Sequence, residues 1–129
     1  MVDQYMFLIV EPDWDSDAYQ GDSDRIEAEF PEFVVFERRV EELGARIVGG
    51  NALQSRKHGG TVRPGRDGRE LEDAVWTDGA SLESDEVITG FYLVEAESDE
   101  VAKQLAVGVP TGGHVESRKV FDFGGGQEG

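Results

Sequence analysis

The chain has 129 residues, 38% of them hydrophobic, which fits one domain with a modest core. Its 28 acidic residues outweigh 12 basic ones for a formal net charge of −16. That excludes the basic footprint a nucleic-acid backbone needs and disfavours an anionic membrane surface. With no cysteine in the chain, disulfides, thiolate metal sites and cysteine nucleophiles are excluded, and a cytoplasmic protein is the expectation.

Three readings of the charge stay open. High net charge keeps molecules apart in solution. The only lysines are Lys57, Lys103 and Lys119, and aspartate is abundant, a composition that also suits high salt, where self-repulsion is screened. A site for a cationic partner is the third.

The opening stretch "MVDQYMFLIV" has no basic region, and its apolar run is too short for a signal peptide or a membrane span. Tyr5 to Val10 reads instead as a central strand. "EPDWDSDAYQGDSD" is a loop, read as solvated charge, with Ser23 or Asp24 as a helix cap. Ile26, Phe30, Phe33, Phe36, Val40 and Leu43 recur at spacings of three and four, the stripe of an amphipathic helix. Pro31 breaks that stripe, so the stronger helix runs from Pro31 to Leu43, with Gly44 as its stop.

"ARIVGGNALQ" reads as a second strand. A hairpin comes next, pairing Thr61–Arg63 with Leu71–Thr77 around Gly65, Asp67 and Gly68. After Thr77-Asp78-Gly79 comes a long acidic crossing segment, "ASLESDEVIT", and then the strand "GFYLVEA". Ser98 caps a helix whose Val101, Leu105 and Ala106 share a face and which ends at Gly108 before Pro110. "HVESRKVFDF" is a last, more exposed strand, and "GGGQEG" a tail without core residues.

The order strand, helix, strand, hairpin, strand, helix, strand predicts an α+β fold. Its architecture is a ferredoxin-like antiparallel sheet with two helices on one face. Residues 1–123 form the single domain and 124–129 the Gly-rich tail. Apolar runs such as "YMFLIV" call for cover on both faces, so a homodimer packed sheet on sheet is expected.

Several of these stretches resemble the YCII-related domain family, in its DGPF branch. That branch reads T-D-G-P-F, an acidic loop, then G-G-Y/F-Y-L. Here Thr77-Asp78-Gly79 and Gly90-Phe91-Tyr92-Leu93 are similar, as are the opening "QYMFLIV", "LGARIVGGNALQ" and the closing "VPTGGHVESRKV". The order and spacing of these stretches cover nearly the whole chain. Ala80-Ser81 stands where the branch has Pro-Phe, and Lys119 where proline is typical. The resemblance implies a dimeric α/β-barrel type of ferredoxin-like fold. In some members it implies a histidine and an aspartate as a catalytic pair, and in the branch an association with extracytoplasmic-function sigma factors.

Asp78 and His114 are the candidate catalytic residues: a strand-end carboxylate beside glycine, and an imidazole suited to move a proton. The simpler alternatives are an Asp-Gly turn and a surface histidine. The candidate pocket residues are Gly79, Trp76, Tyr92 and Tyr5, around an apolar space between sheet and helices. His58 reads as a surface residue. No ligand spacing points to a metal, no Gly-rich cradle to a nucleotide, and no cofactor is expected. The expected function is small-molecule binding or acid–base chemistry on a small molecule at the Asp78/His114 pocket, the alternative a non-catalytic interaction or regulatory module.

Overall fold

Ten residues centred on the apolar run Tyr5–Val10 open the fold, and their alternation sets the two faces of the main sheet. In the computed structural model, residues 2–124 are described except 20, 23, 26, 27, 29, 66–71 and 81–83. The expected Ser23 cap, Ile26, Asp67, Gly68, Leu71, Ser81 and the tail beyond Gly124 lie outside the described residues.

Strand β1 (Asp3–Pro12) is followed by helix α1 (Glu32–Glu42) and strand β2 (Arg46–Ala52). Next come β3 (Gly60–Arg63), β4 (Val75–Asp78) and β5 (Glu86–Ala96). Helix α2 (Asp99–Val107) and strand β6 (His114–Lys119) complete the order. The main sheet has four strands in the order β2-β5-β1-β6, all neighbours antiparallel, while β3 and β4 form a separate two-stranded ribbon. This is an α+β arrangement compatible with the ferredoxin-like fold. No helix among the described residues is long and apolar enough to cross a membrane.

β1 is central, paired with β5 on one side and β6 on the other. Side chains alternate along a strand, so Tyr5, Phe7 and Ile9 point one way and are buried, as are Val94 and Ala96 on β5. Against them pack Phe36 and Val40 of α1, Ala102 and Leu105 of α2, and Val109. Both helices therefore cover the same face. Each large side chain buried this way contributes about 1.5–3 kcal/mol by area, so this layer dominates the stability.

The helices form where the pattern predicts. Pro31 sits at the start of α1, where its missing N–H costs nothing, and Phe36 and Val40 are the buried stripe. Gly44 takes φ +71° just after the C-terminus, the left-handed backbone that ends helices. The Ser98 hydroxyl accepts the Val101 N–H at 3.2 Å and caps α2. In the first loop the cap-like bond comes from Asp22, whose Oδ1 accepts the Arg25 N–H at 3.0 Å, and Asp24 is itself helical.

Several boundaries differ from the sequence reading: β1 spans Asp3–Pro12 rather than Tyr5–Val10, and β4 spans Val75–Asp78 rather than reaching back toward Leu71, since Glu72 and Asp73 form a turn. β5 begins at Glu86 rather than Gly90, because Val87, Ile88 and Thr89 favour extended backbone, and Val87 and Ile88 pair with Glu11 and Val10 of β1. β6 ends at Lys119; beyond it Val120 still donates to the Gln4 carbonyl at 2.9 Å, while Phe121 and Phe123 stack on each other in solvent.

Leu105 is fully buried between α2 and the sheet. Leu105→Ala is expected to destabilise the domain by about 2–5 kcal/mol, read as a lower urea midpoint with an unchanged slope.

Candidate functional site

The sequence candidates fall into separate surroundings. Asp78 ends β4 in the two-stranded ribbon, exposed, opposite Gly60. Its Oδ1 accepts the indole N–H of Trp76 at 2.8 Å, so the ribbon's own tryptophan holds the carboxylate. Gly79 comes next at φ +85°, its N–H donating to the Gly59 carbonyl at 2.8 Å. Trp76 is largely exposed.

His114 starts β6 opposite Val10 in the main sheet. Its ring nitrogens lie 3.7 Å from Glu86 Oε1 and 3.6 Å from Glu116 Oε2, and the side chain is exposed. No hydrogen bond or ion pair joins Asp78 to His114 among the described residues. Tyr5 is buried in the core. Its hydroxyl donates to Asp99 Oδ1 at 2.5 Å, which raises the tyrosine's pKa, with burial adding to the effect. Asp99 is correspondingly lowered by the Tyr5 and Lys119 hydrogen bonds.

Of the six candidates, Tyr92 alone lines the larger described cavity. This is a cleft of about 470 Å³ between the N-terminal half of α1 and the sheet. Its floor is set by the register. On the helix-facing side of the sheet, Gly50 lies opposite Tyr92 and Ala52 opposite Gly90. These small residues leave space where large ones would have filled the layer. Gly50 is also sterically required, since a Cβ there would lie 2.9 Å from the Phe91 carbonyl oxygen. Phe33, Val34 and Glu37 of α1 form the roof, with Phe30 and Trp14 at the side. Trp14, Tyr19, Phe30 and Phe33 stand in a chain of ring contacts, with centroids 5.7, 5.7 and 6.4 Å apart. Tyr92 packs on Phe36 at 4.7 Å.

The polar groups of the cleft are few. A β-bulge between Ile9 and Val10 in the β1–β5 pairing leaves Thr89 without a partner on β1. The Thr89 hydroxyl donates to Glu11 Oε1 at 2.5 Å. The Gly112 N–H donates to Glu11 Oε2, also at 2.5 Å. Glu37 has no hydrogen-bond or ion-pair partner among the described residues. The Tyr92 hydroxyl is pushed up to about 12, by burial first and then by the Glu37 charge, so it is a neutral hydrogen-bonding group at ordinary pH.

A second cluster ties the first loop to the segment after β2. Asp13 accepts from the Ser55 hydroxyl at 2.7 Å and from the Arg56 N–H at 3.0 Å. The buried Ser16 hydroxyl accepts the Ser55 N–H at 2.7 Å. Asp17 binds Lys57 at 2.6 Å and His58 at 2.7 Å, so His58 is held rather than loose at the surface. The Trp14 indole adds a bond to the Leu53 carbonyl at 2.9 Å. Burial works to raise the Asp13 pKa, but the Ser55 and backbone hydrogen bonds outweigh it and leave it below the ordinary value. The Lys57 and His58 bonds likewise lower Asp17. A smaller cavity of about 380 Å³ lies beside this segment, between His58 and Val87.

Sequence reasoning missed both features. "DWDSD" reads as solvated charge along the chain because its partners lie about 40 residues away. The cleft's signal is present as Gly49-Gly50 and Gly90, but only the register shows that Gly50 and Gly90 face the helix. Among the described residues no three histidine or carboxylate side chains are grouped to hold a metal ion. Compared with known proteins, the chain matches no family model and no curated sequence.

Because the folded Asp13 pKa is depressed, its stabilisation is complete above the unfolded value of about 4. It is lost as pH falls through the folded value. Asp13→Asn is therefore expected to lower stability at neutral pH and to flatten the fall in melting temperature below about pH 4, measured by thermal unfolding across pH.

Proposed function

We propose that this protein is a small-molecule-binding domain of the YCII-related, DGPF type that works as a homodimer. In this reading the ligand lies in the cleft under α1 rather than between Asp78 and His114. The observation that carries the reading is the cleft itself: about 470 Å³ of space, mostly apolar and aromatic in lining, with a few polar groups at its edge. That is the ordinary build of a small-molecule site. The separate partners of Asp78 and His114 favour binding over acid–base chemistry shared between them. The family likeness is supported by the order of the elements. It is also supported by Gly90-Phe91-Tyr92-Leu93, whose Gly90 and Tyr92 sit at the cleft.

The dimer reading rests on the outer face of the sheet. Met6, Leu8 and Val10 of β1 lie opposite Leu93, Phe91 and Ile88 of β5 there, partly exposed, beside the charged Glu116 and Arg118 of β6. An apolar stripe with a polar rim suits a two-fold contact.

A neutral fluorescent naphthylmethanol probe is expected to bind with micromolar affinity. Val34→Trp, which fills the cleft mouth, should abolish that binding without lowering the melting temperature. Failure of the probe to bind, or equal binding by the variant, would count against the cleft as the site. For the dimer, Leu8→Glu is expected to convert the protein from dimer to monomer in sedimentation at micromolar concentration. A wild-type protein that already sediments as a monomer removes the sheet-on-sheet reading.

A further inference from the structure

We infer that the cleft under α1 selects a cationic amphiphile: a protonated amine carried on an aromatic or comparably sized apolar body. This rests on the cleft being the binding site and adds the chemistry of its ligand.

Three observations converge. The walls are aromatic, with Trp14, Phe30, Phe33 and Tyr92 around one space. Ring faces attract cations as well as apolar surface. The charged residues lining that space are Glu11 and Glu37, with no lysine, arginine or histidine among the described lining residues. Beside the aromatic chain, Arg25 is stacked over the Tyr19 ring at 4.4 Å and donates to the Ala18 carbonyl.

The two carboxylates play different parts. Glu11 is held by Thr89 and the Gly112 N–H, so it is a fixed negative end at the inner edge of the floor. Glu37 has no partner among the described residues, yet it lies near enough to the half-buried Tyr92 hydroxyl to oppose its ionisation. A carboxylate without a counter-ion beside an apolar cavity is a ready partner for an ammonium group. The formal charge of −16 reinforces the same selection, since it draws cations toward the surface and repels anions. An acid on the same apolar body would meet Glu11 and Glu37 directly and bind most weakly.

The test uses three ligands of one shape: naphthylmethylamine, naphthylmethanol and naphthoate, titrated calorimetrically into the wild-type protein at physiological ionic strength. The amine is expected to bind about tenfold more tightly than the alcohol, with naphthoate weakest. In Glu37→Gln the amine-to-alcohol ratio should fall close to one, and Val34→Trp should block the amine. Thermal unfolding checks that both variants are folded. If the alcohol binds as tightly as the amine in the wild type, the charge selection is overturned while the cleft remains a site. If none of the three binds, the cleft itself is overturned as the site. If the amine preference survives undiminished in Glu37→Gln, the attraction belongs to the whole surface and the inference fails.

Discussion

The structure depends on the two-residue alternation of β1. Its central place between β5 and β6 means that every side chain must go to one face or the other. Tyr5, Phe7 and Ile9 go to the helices, and Met6, Leu8 and Val10 go away from them. A slip of one residue would bury the second set and expose the first. Once that choice is made, Phe36 and Val40 of α1 and Leu105 of α2 have only one surface to meet.

The same constraint creates the cleft. On the helix-facing layer Phe7, Tyr92 and Val94 fill the space along β1 and β5. Beside Tyr92 on β2, and in the next row, the sheet offers only Gly50, Ala52 and Gly90, and the helix does not close on them. Space remains because the roof is set by the contact of Phe36 with Tyr92, not by the floor beneath Phe33 and Val34. The bulge at Thr89 then supplies one hydroxyl, and Glu11 the carboxylate that receives it. The polar belt of Asp13, Ser16, Ser55 and Asp17 closes the loops beside this end of the sheet.

Electrostatics shows a similar division between local and collective effects. Exposed pairs such as Asp17 with Lys57, or Arg46 with Glu95 at 2.9 Å, contribute little one by one. The surplus of carboxylates matters more as a field. Of the carboxylates at the cleft, Glu11 has its charge met by hydrogen bonds, and Glu37 has no partner among the described residues.

Much of the fold was legible locally. The stripe of Phe33, Phe36, Val40 and Leu43, Pro31 at its start, Gly44 after its end and Ser98 before α2 each act within a few residues, so the chain itself determined both helices and their ends. Strand identity was equally local, though the start of β5 was hidden because Val87–Thr89 come after an acidic loop. The site was not local. Asp78 and His114 stood out by residue type, but the first is tied to Trp76 in a separate ribbon and the second lies between two glutamates at a sheet edge. Glu11, Gly50, Gly90 and Glu37 were not candidates for the site, because nothing in their neighbours along the chain ties them to one another. Antiparallel register decided which of them share a face, and helix packing decided how far above them α1 rests. Sequence thus determined the elements, the charge and the apolar stripes, which are short-range properties. Tertiary structure alone decided where the layer fails to fill, because a cavity is a mismatch between surfaces contributed by distant segments.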